Sequence, residues 1–134
     1  MSFTALLFAA LVSYSQGSAE ASQPASDYAV ASIDNLVHDF GKIKQGVPVN
    51  HEFTFVNKGQ VPMIITNAQP SCGCTVPAWS KDPIPPGGSG YVKATFNAAA
   101  GGVFDKSITV MANVEGGVIM LRIRGEVVMP TPNK

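Results

Sequence analysis

The sequence has little charge, and its positive and negative residues balance. Charged side chains make up 13% of the 134 residues, and nine Lys and Arg residues stand against nine Asp and Glu. This share is about half of what soluble domains usually carry. Without an excess of basic residues there is no electrostatic basis for holding the phosphates of a nucleic acid or for attraction to an anionic membrane surface. We therefore predict that the protein does not bind nucleic acid.

Beyond its N-terminal segment, the sequence has no apolar run long enough to cross a bilayer, since a crossing takes about 20 residues. The N-terminal run from Phe3 to Val12 is shorter and is typical of the apolar region of a secretory signal, although no Lys or Arg precedes it. Small residues follow, and cleavage after Ser15, Ala19 or Ala21 fits them equally well. We predict a signal peptide over residues 1–21, a periplasmic or secreted location, and no transmembrane segment in the mature chain. The alternative, a buried helix of a cytosolic protein, is disfavoured because a polar linker separates the run from any core.

Composition divides the remaining chain into three parts. Residues 22–31 are rich in Ser and Ala, bury little apolar surface and are predicted to form a flexible linker. Residues 32–128 form one domain of about 100 residues, enough for a single modest core. Residues 129–134, which contain Pro130 and Pro132, are predicted to be a frayed tail.

Apolar and polar residues alternate along the domain, which predicts strands rather than helices. His51, Phe53 and Phe55 share one face of the stretch from Val49 to Asn57. The same pattern recurs at Tyr91 to Asn97, and proline, glycine and asparagine separate the runs. Six or seven short strands with no helical stretch indicate an all-β fold, an antiparallel β-sandwich of about seven strands.

The last two strands form the clearest predicted pair. A two-residue turn at Gly116-Gly117 would place Val110 opposite Ile123 and Ala112 opposite Leu121. A three-residue turn would instead set inward residues opposite outward ones, so parity favours the tight turn. The predicted inward residues are Ile108, Val110, Ala112, Ile119, Leu121, Ile123 and Val127.

Several short motifs follow one another along the domain. They are His38-Asp39-Phe40-Gly41, His51-x-Phe53-x-Phe55-x-Asn57-x-Gly59, Ser71-Cys72-Gly73-Cys74-Thr75-Val76-Pro77, Trp79, Pro83-Ile84-x-Pro86-Gly87 and Phe96-Asn97. Their order and spacing resemble the bacterial family catalogued as domain of unknown function 1573, which is related to the ASPM/Hydin-type immunoglobulin-like domains. The resemblance covers roughly Leu36 to Val127 and departs from the family in the short, uncharged loop Ala98–Gly102. It implies an immunoglobulin-like sandwich in an exported bacterial protein and implies no activity.

Only two cysteines are present, Cys72 and Cys74, and one glycine separates them. On an extended backbone their Cα atoms would lie about 6.6 Å apart, which is too open for a disulfide whose Cβ atoms should be about 3.8 Å apart. Gly73 could close the gap by a tight turn. A soft metal such as Cu(I) tolerates sulfurs up to about 4.6 Å apart. Three interpretations stay open: buried thiols or a structural disulfide, a copper site, and a thiol-exchanging redox pair.

Other residues give weaker indications of function. His38 and His51 could supplement a metal site, but both have inward parity and neither is near the cysteines in sequence, so we interpret them as core residues. Acidic residues are scattered and no nucleophile adjoins a base, so we predict no catalytic residues and no enzyme. Trp79 either caps the sandwich or anchors a partner.

We therefore expect a non-catalytic, exported immunoglobulin-like domain that binds another envelope protein or has a structural role. The predicted contact surface is the loop end bearing Cys72, Cys74 and Trp79, or an edge strand. The alternative function is a copper-binding or thiol-redox protein centred on Cys72 and Cys74. No cofactor is expected, apart from copper under that alternative. The sequence carries no signal of oligomeric state.

Overall fold

The computed structural model describes residues 10–13, 17 and 27–131. The predicted signal peptide lies largely outside these residues, as do its three cleavage positions, most of the linker and the end of the tail. Within the described part of the chain all regular structure is β. Its eight strands are β1 Ala31–Ile33, β2 Val37–Lys44, β3 Val49–Asn57, β4 Ile65–Pro70, β5 Thr75–Trp79, β6 Ser89–Phe96, β7 Gly102–Ala112 and β8 Val118–Val128. A search of the described residues for a helix able to span a membrane found none.

The strands form two four-stranded sheets, with the orders β1-β3-β6-β5 and β2-β8-β7-β4. This confirms the predicted immunoglobulin-like sandwich, with one strand more than the sequence indicated. Every neighbouring pair is antiparallel except β2 and β8, which are parallel. Three residues, 34–36, separate β1 from β2, and across them the chain passes to the other sheet. Since no hairpin joins β2 to β8, nothing in the connection forces that pair to be antiparallel.

The core lies between the sheets and is filled by alternate side chains, as the period-two pattern predicts. Phe53 and Phe55 from β3 are buried, while Glu52 and Thr54 are exposed. The inward residues predicted for β7 and β8 are buried too, with only Ile119 partly exposed. The largest fully buried apolar side chains are Phe53, Met63, Val92, Ile108, Val110, Leu121 and Ile123.

The register predicted for β7 and β8 is wrong, although the two strands do pair. Val110 lies opposite Ile119, and Ile108 lies opposite Leu121. The displacement between the predicted and observed partners is four residues. Because four is an even number, every side chain stays on its predicted face of the sheet.

The connection between β7 and β8 is longer than two residues because its first two members have other partners. The side chain of Asn113 accepts a hydrogen bond from the Ile64 N–H (2.7 Å) and donates one to the Pro62 carbonyl (2.9 Å). Val114 turns into the core, where it is 8% exposed and forms a bridge with Ala29. Asn113 and Val114 therefore do not pair with β8, and the β7–β8 ladder ends before Gly116 and Gly117.

The domain begins earlier than the sequence boundary at residue 32. Ala29 is 1% exposed, and its N–H donates to the Asn113 carbonyl (2.9 Å). Ala31 is the first residue of β1 and pairs with Asn57. Ala29 and Ala31 therefore belong to the folded domain. The sequence did not reveal this, because the composition around them is the same as that of the predicted linker.

Candidate functional site

The segment 71–74 connects edge strand β4 of one sheet to edge strand β5 of the other. Ser71 fixes its start: the Ser71 N–H donates to the Ser107 carbonyl (2.9 Å), and the Ser107 N–H donates to Ser71 Oγ (3.1 Å). Its end is fixed by the Asn97 N–H, which donates to the Cys74 carbonyl (3.0 Å). The cysteine loop is thus anchored to both sheets at one end of the sandwich.

Cys72 and Cys74 are joined by a disulfide, with their Cα atoms 5.4 Å apart. The loop is therefore more contracted than an extended strand, and the Thr75 N–H donates to the Cys72 carbonyl across it (3.4 Å). Gly73 does not have a positive φ, and an added Cβ there would meet no atom within 4 Å. The contraction consequently does not depend on the conformational freedom of glycine.

A disulfide across a single residue contributes little to the stability of the fold. In the chain-entropy description, closing a three-residue loop constrains the unfolded chain by about 1.6 kcal/mol, against about 3 kcal/mol for a 15-residue loop. The sulfurs in this state are bonded to each other and are not available to a soft metal. Copper binding thus stays a prediction for the reduced protein, and the described residues contain no group of three or more His, Cys, Asp or Glu side chains that could hold a metal.

Behind the disulfide lies a cavity of about 190 Å³, here called the disulfide cavity. Its wall includes Cys74, Phe96, Phe104, the segment 97–103 except residue 98, and Lys106. Lys106 lies on the inward side of β7, between the buried residues Phe104 and Ile108. A lysine and one cysteine of the disulfide thus line the same half-open cavity.

The two sulfurs have different surroundings. The Cys74 N–H donates to Cys72 Sγ (3.3 Å), whereas Cys74 lines the disulfide cavity and packs against the core. A backbone N–H directed at sulfur stabilises the thiolate over the thiol, as hydrogen bonds to a charged form generally do. This hydrogen bond therefore favours a thiolate on Cys72.

His38 and His51 lie together and away from the cysteines. His51 is opposite Ala94 in the ladder, and Ala94 is opposite Pro77, which places His51 two strands, about 10 Å, from β5. The imidazole rings of the two histidines stack with centroids 3.6 Å apart and planes at 5°. Their nitrogen lone pairs lie in these nearly parallel ring planes and do not converge on one ion. The pair does not complete a metal site with Cys72 and Cys74.

Trp79 lies at the opposite end of β5 from the cysteine loop, so it is not on the same loop end as Cys72 and Cys74. Trp79 is half-buried and packs against the core, and the Lys81 Nζ lies 3.1 Å from the centroid of its ring. Its indole N–H is buried and has no hydrogen-bond partner among the described residues. A cleft of about 440 Å³ opens here, lined by Trp79, Lys81, Pro83, Pro85 and Tyr91 among others. We call it the Trp79 cleft.

Proline blocks the open edge of β5. The Asn97 N–H donates to the Cys74 carbonyl, and the Ser80 N–H donates to the Tyr91 carbonyl. Because alternate residues of a strand point their backbone groups to the same neighbour, the even-numbered residues of β5 are the ones that hydrogen-bond to β6. Pro77 therefore faces away from β6, where it presents no N–H. A further strand could not form a regular ladder on this edge.

The open edge of β4 is blocked in the same way. Because Ser71 is bonded to Ser107, the bonded positions of β4 in the regular part of the ladder are odd-numbered, and Pro70 faces outward. The outward N–H of Ala68 is occupied by the side chain of Asn67 (2.9 Å). Both edges that flank the cysteine loop thus resist strand addition.

The sequence matches the model of a family described as protein of unknown function (DUF1573) over residues 31–127. The chain belongs to this family. The match confirms the resemblance carried by the sequence motifs. No curated protein matches the sequence.

Solved structures show the same fold at low identity. A protein of unknown function from Porphyromonas gingivalis W83 superposes with a TM-score of 0.68 at 15% identity, over 79% of this chain and 50% of that one. The ASH/PapD-like domain of human CEP192 has a TM-score of 0.60 at 13% identity, over 98% and 99%. The secreted serine protease VesC from Vibrio cholerae has 0.56 at 14%, over 80% and 24%. The chain spans half of the first protein and a quarter of the protease, and these likenesses show the fold alone.

Sequence reasoning missed two residues of these sites, Lys106 and Lys81. Lys106 had a usable signal, since it is a lysine in the inward phase of a strand whose neighbours Phe104 and Ile108 are core residues. Lys81 had no signal, because its contact with Trp79 depends on how the chain leaves β5. Pro77 ends the cysteine motif and Pro70 directly precedes it, but the outward direction of both follows only from the observed register.

Proposed function

We propose that this domain is an exported, non-catalytic protein-binding module of the bacterial envelope whose partner docks in the Trp79 cleft. The observation that carries the proposal is the indole N–H of Trp79, which is buried without an acceptor. Such a donor costs about 1–3 kcal/mol while it is unpaired. A partner that supplies an acceptor recovers this free energy, so the cleft favours an occupied state.

The cleft also has the composition of a binding surface. Tyr91 is 38% exposed, and Pro83 and Pro85 give the opposite wall little conformational entropy to lose on binding. Lys81 is an exposed, long side chain that covers the indole and can move aside. We assign as occupant an extended segment of another envelope protein, one of whose backbone carbonyls accepts the indole N–H.

Side-chain recognition is favoured over strand addition on this side of the domain. The Trp79 cleft adjoins the open edge of β5, where Pro77 removes a donor that an added strand would need. A segment that enters the cleft is therefore held by the walls of the cleft and by the indole N–H, rather than by a ladder of backbone hydrogen bonds.

Three observations support export and a non-catalytic role. The N-terminal apolar run has the length of the apolar region of a secretory signal, and a disulfide is typical of an oxidising compartment. Among the acidic residues, Asp39 and Asp105 are in ion pairs with Arg124 and Arg122 on the outer face of a sheet, which is a structural arrangement rather than a catalytic one.

The proposal is tested by site-specific photo-crosslinking in living cells. A photoreactive residue replaces Asp82, which lines the cleft, and in a control replaces Glu126 on the other sheet. We expect an adduct with one envelope protein from position 82 only, and its loss in Trp79→Phe, which keeps an aromatic ring but removes the N–H. The captured protein, once purified, should bind Trp79→Phe about tenfold more weakly than wild type. Equal binding by the two forms, or the same adduct from both positions, contradicts the proposal.

A further inference from the structure

The disulfide of the cysteine loop is accessible from outside and adjoins the disulfide cavity. Cys72 and Cys74 are both partly exposed, and Gly73 between them leaves open space over the loop. Cys74 lines the cavity. A small group that enters this cavity would therefore lie against Cys74.

The disulfide cavity suits an anion. Lys106 contributes a positive charge, and the other described residues that line the cavity include no carboxylate that would neutralise it. The wall otherwise consists of Phe96, Phe104, Asn97 and residues of the loop that precedes β7. A cation in a partly apolar space favours the thiolate over the thiol of any sulfhydryl group that enters.

The opposite sulfur is placed to receive the electrons that such an attack releases. The Cys74 N–H donates to Cys72 Sγ at 3.3 Å, and hydrogen bonding of this kind stabilises a thiolate on Cys72. A sulfur that leaves as a more stable thiolate leaves faster. The hydrogen bond to Cys72 Sγ thus favours one order of exchange, in which Cys74 is attacked and Cys72 departs as the thiolate.

We propose that the Cys72–Cys74 disulfide is a thiol–disulfide exchange site whose substrate is a thiol entering through the disulfide cavity. The incoming thiolate forms a bond to Cys74 Sγ, the Cys72–Cys74 bond breaks, and its electron pair remains on Cys72 as a thiolate. A second thiolate then attacks the sulfur of the first thiol in the mixed disulfide, and Cys74 departs as a thiolate. Two substrate thiols are oxidised to one disulfide, and the protein is reduced by two electrons.

This activity goes beyond the proposed binding function and does not depend on it. The disulfide cavity and the Trp79 cleft lie at opposite ends of β5, and their linings share no residue. Failure of the exchange experiments therefore leaves the docking proposal standing, and the reverse also holds.

The order of attack is tested on the wild-type protein by trapping. The oxidised protein is mixed with glutathione in the presence of iodoacetamide, quenched with acid, and the peptide containing Pro70–Pro77 is sequenced by mass spectrometry. We expect the glutathione adduct on Cys74 and the alkyl group on Cys72. The reverse distribution, or an equal one, overturns the assignment.

The role of the cavity is tested by rates. We expect Lys106→Met to slow reduction by glutathione about fivefold, the effect of one nearby charge, and Lys106→Arg to restore most of the rate. Lys44→Met, on β2 and outside the cavity wall, is the matched control and should change nothing. Circular dichroism verifies the fold of each variant. Equal rates for Lys106→Met and wild type contradict the proposal.

The source of the thiol is distinguished with a second probe. Glutathione represents small thiols, and an extended peptide with a single cysteine represents protein thiols. The reference is the oxidised, unstructured peptide with the sequence of residues 69–78. Faster reduction of the protein than of the reference by either probe supports the proposal and identifies the source. Reduction no faster than the reference with both probes overturns it.

Discussion

The imidazole rings of His38 and His51 lie face to face between the two sheets, with centroids 3.6 Å apart. Phe40 meets the His38 ring edge-on at 4.6 Å, and Phe53 meets the His51 ring in the same way at 4.7 Å. Burial lowers the pKa of His51, the neighbouring charge of His38 lowers it further, and Glu52 acts in the opposite direction. Four aromatic rings thus link edge strand β2 to the opposite sheet.

This pair predicts a loss of stability at acidic pH. The folded-state pKa of His51 lies below the value of about 6.5 of a free histidine, so below that pH the unfolded chain binds more protons than the folded one. The free energy of unfolding therefore falls as the pH is lowered from 7.5 through 6.5, until the folded-state pKa is passed. Urea unfolding between pH 5 and 8 measures this slope.

The matched variant for the pH dependence is His51→Phe, which keeps an aromatic ring in the stack and removes the titration. We expect its unfolding free energy to depend less on pH between 5 and 7 than that of wild type. Parallel pH profiles for the two proteins would show that His51 is not the source.

Asn57 is the polar centre of the core, and we predict that its replacement by Asp is strongly destabilising. It is fully buried, and its amide donates to the Val61 and Ile84 carbonyls at 2.8 and 3.0 Å. Asn57→Asp keeps the shape but directs a carboxylate at these two oxygens. An uncompensated buried charge costs about 3–5 kcal/mol. Asn50→Asp, exposed on the same strand, should change the unfolding free energy by less than about 0.5 kcal/mol.

Two glycines are predicted to differ in their tolerance of alanine. A Cβ on Gly90 would meet the Phe55 ring at 2.8 Å and also the side chain of Ile84, so Gly90→Ala should cost about 1–3 kcal/mol. Gly73 has open space and no positive φ, and Gly73→Ala should be neutral to within about 0.5 kcal/mol. Thermal unfolding of both variants verifies this. A large loss at Gly73 would mean that the cysteine loop depends on its glycine.

Reduction of the disulfide is predicted to leave the domain folded. Since the closed loop contains three residues, the free energy of unfolding should fall by about 2 kcal/mol or less. Urea unfolding of the oxidised and reduced forms gives the difference. A loss above about 4 kcal/mol, comparable to that of long disulfide loops, would indicate a mainly structural bond.

The sandwich could be predicted from sequence because period-two alternation reports directly which face of a strand is buried. Val49–Asn57 is a strand with the predicted bounds, and the predicted inward residues of β7 and β8 lie in or against the core. The register of that hairpin could not be predicted, since Asn113 and Val114 are removed from the ladder by contacts with segments far away in sequence. β1 was missed because three residues are too few to show a period.

The sequence singled out the cysteine loop as a candidate site, but it could not decide among the interpretations of that loop. Spacing gave the distance between Cys72 and Cys74 on an extended strand, whereas the loop contracts through hydrogen bonds that involve Thr75. Grouping Trp79 with the cysteines was wrong because five residues of strand place them at opposite ends of β5. Lys106, which lines the disulfide cavity, belongs to a strand more than 30 positions later.

The outward-facing Pro70 and Pro77 have a consequence for the domain in a crowded compartment. Copies that meet along this side cannot continue either sheet from one molecule into the next, so fibre growth is capped there. An assembly that did form by sheet continuation would have to grow from the flank made by β1 and β2. Sheet continuation would therefore not cover the flank that bears the disulfide, and Cys72 and Cys74 would stay accessible in such an assembly.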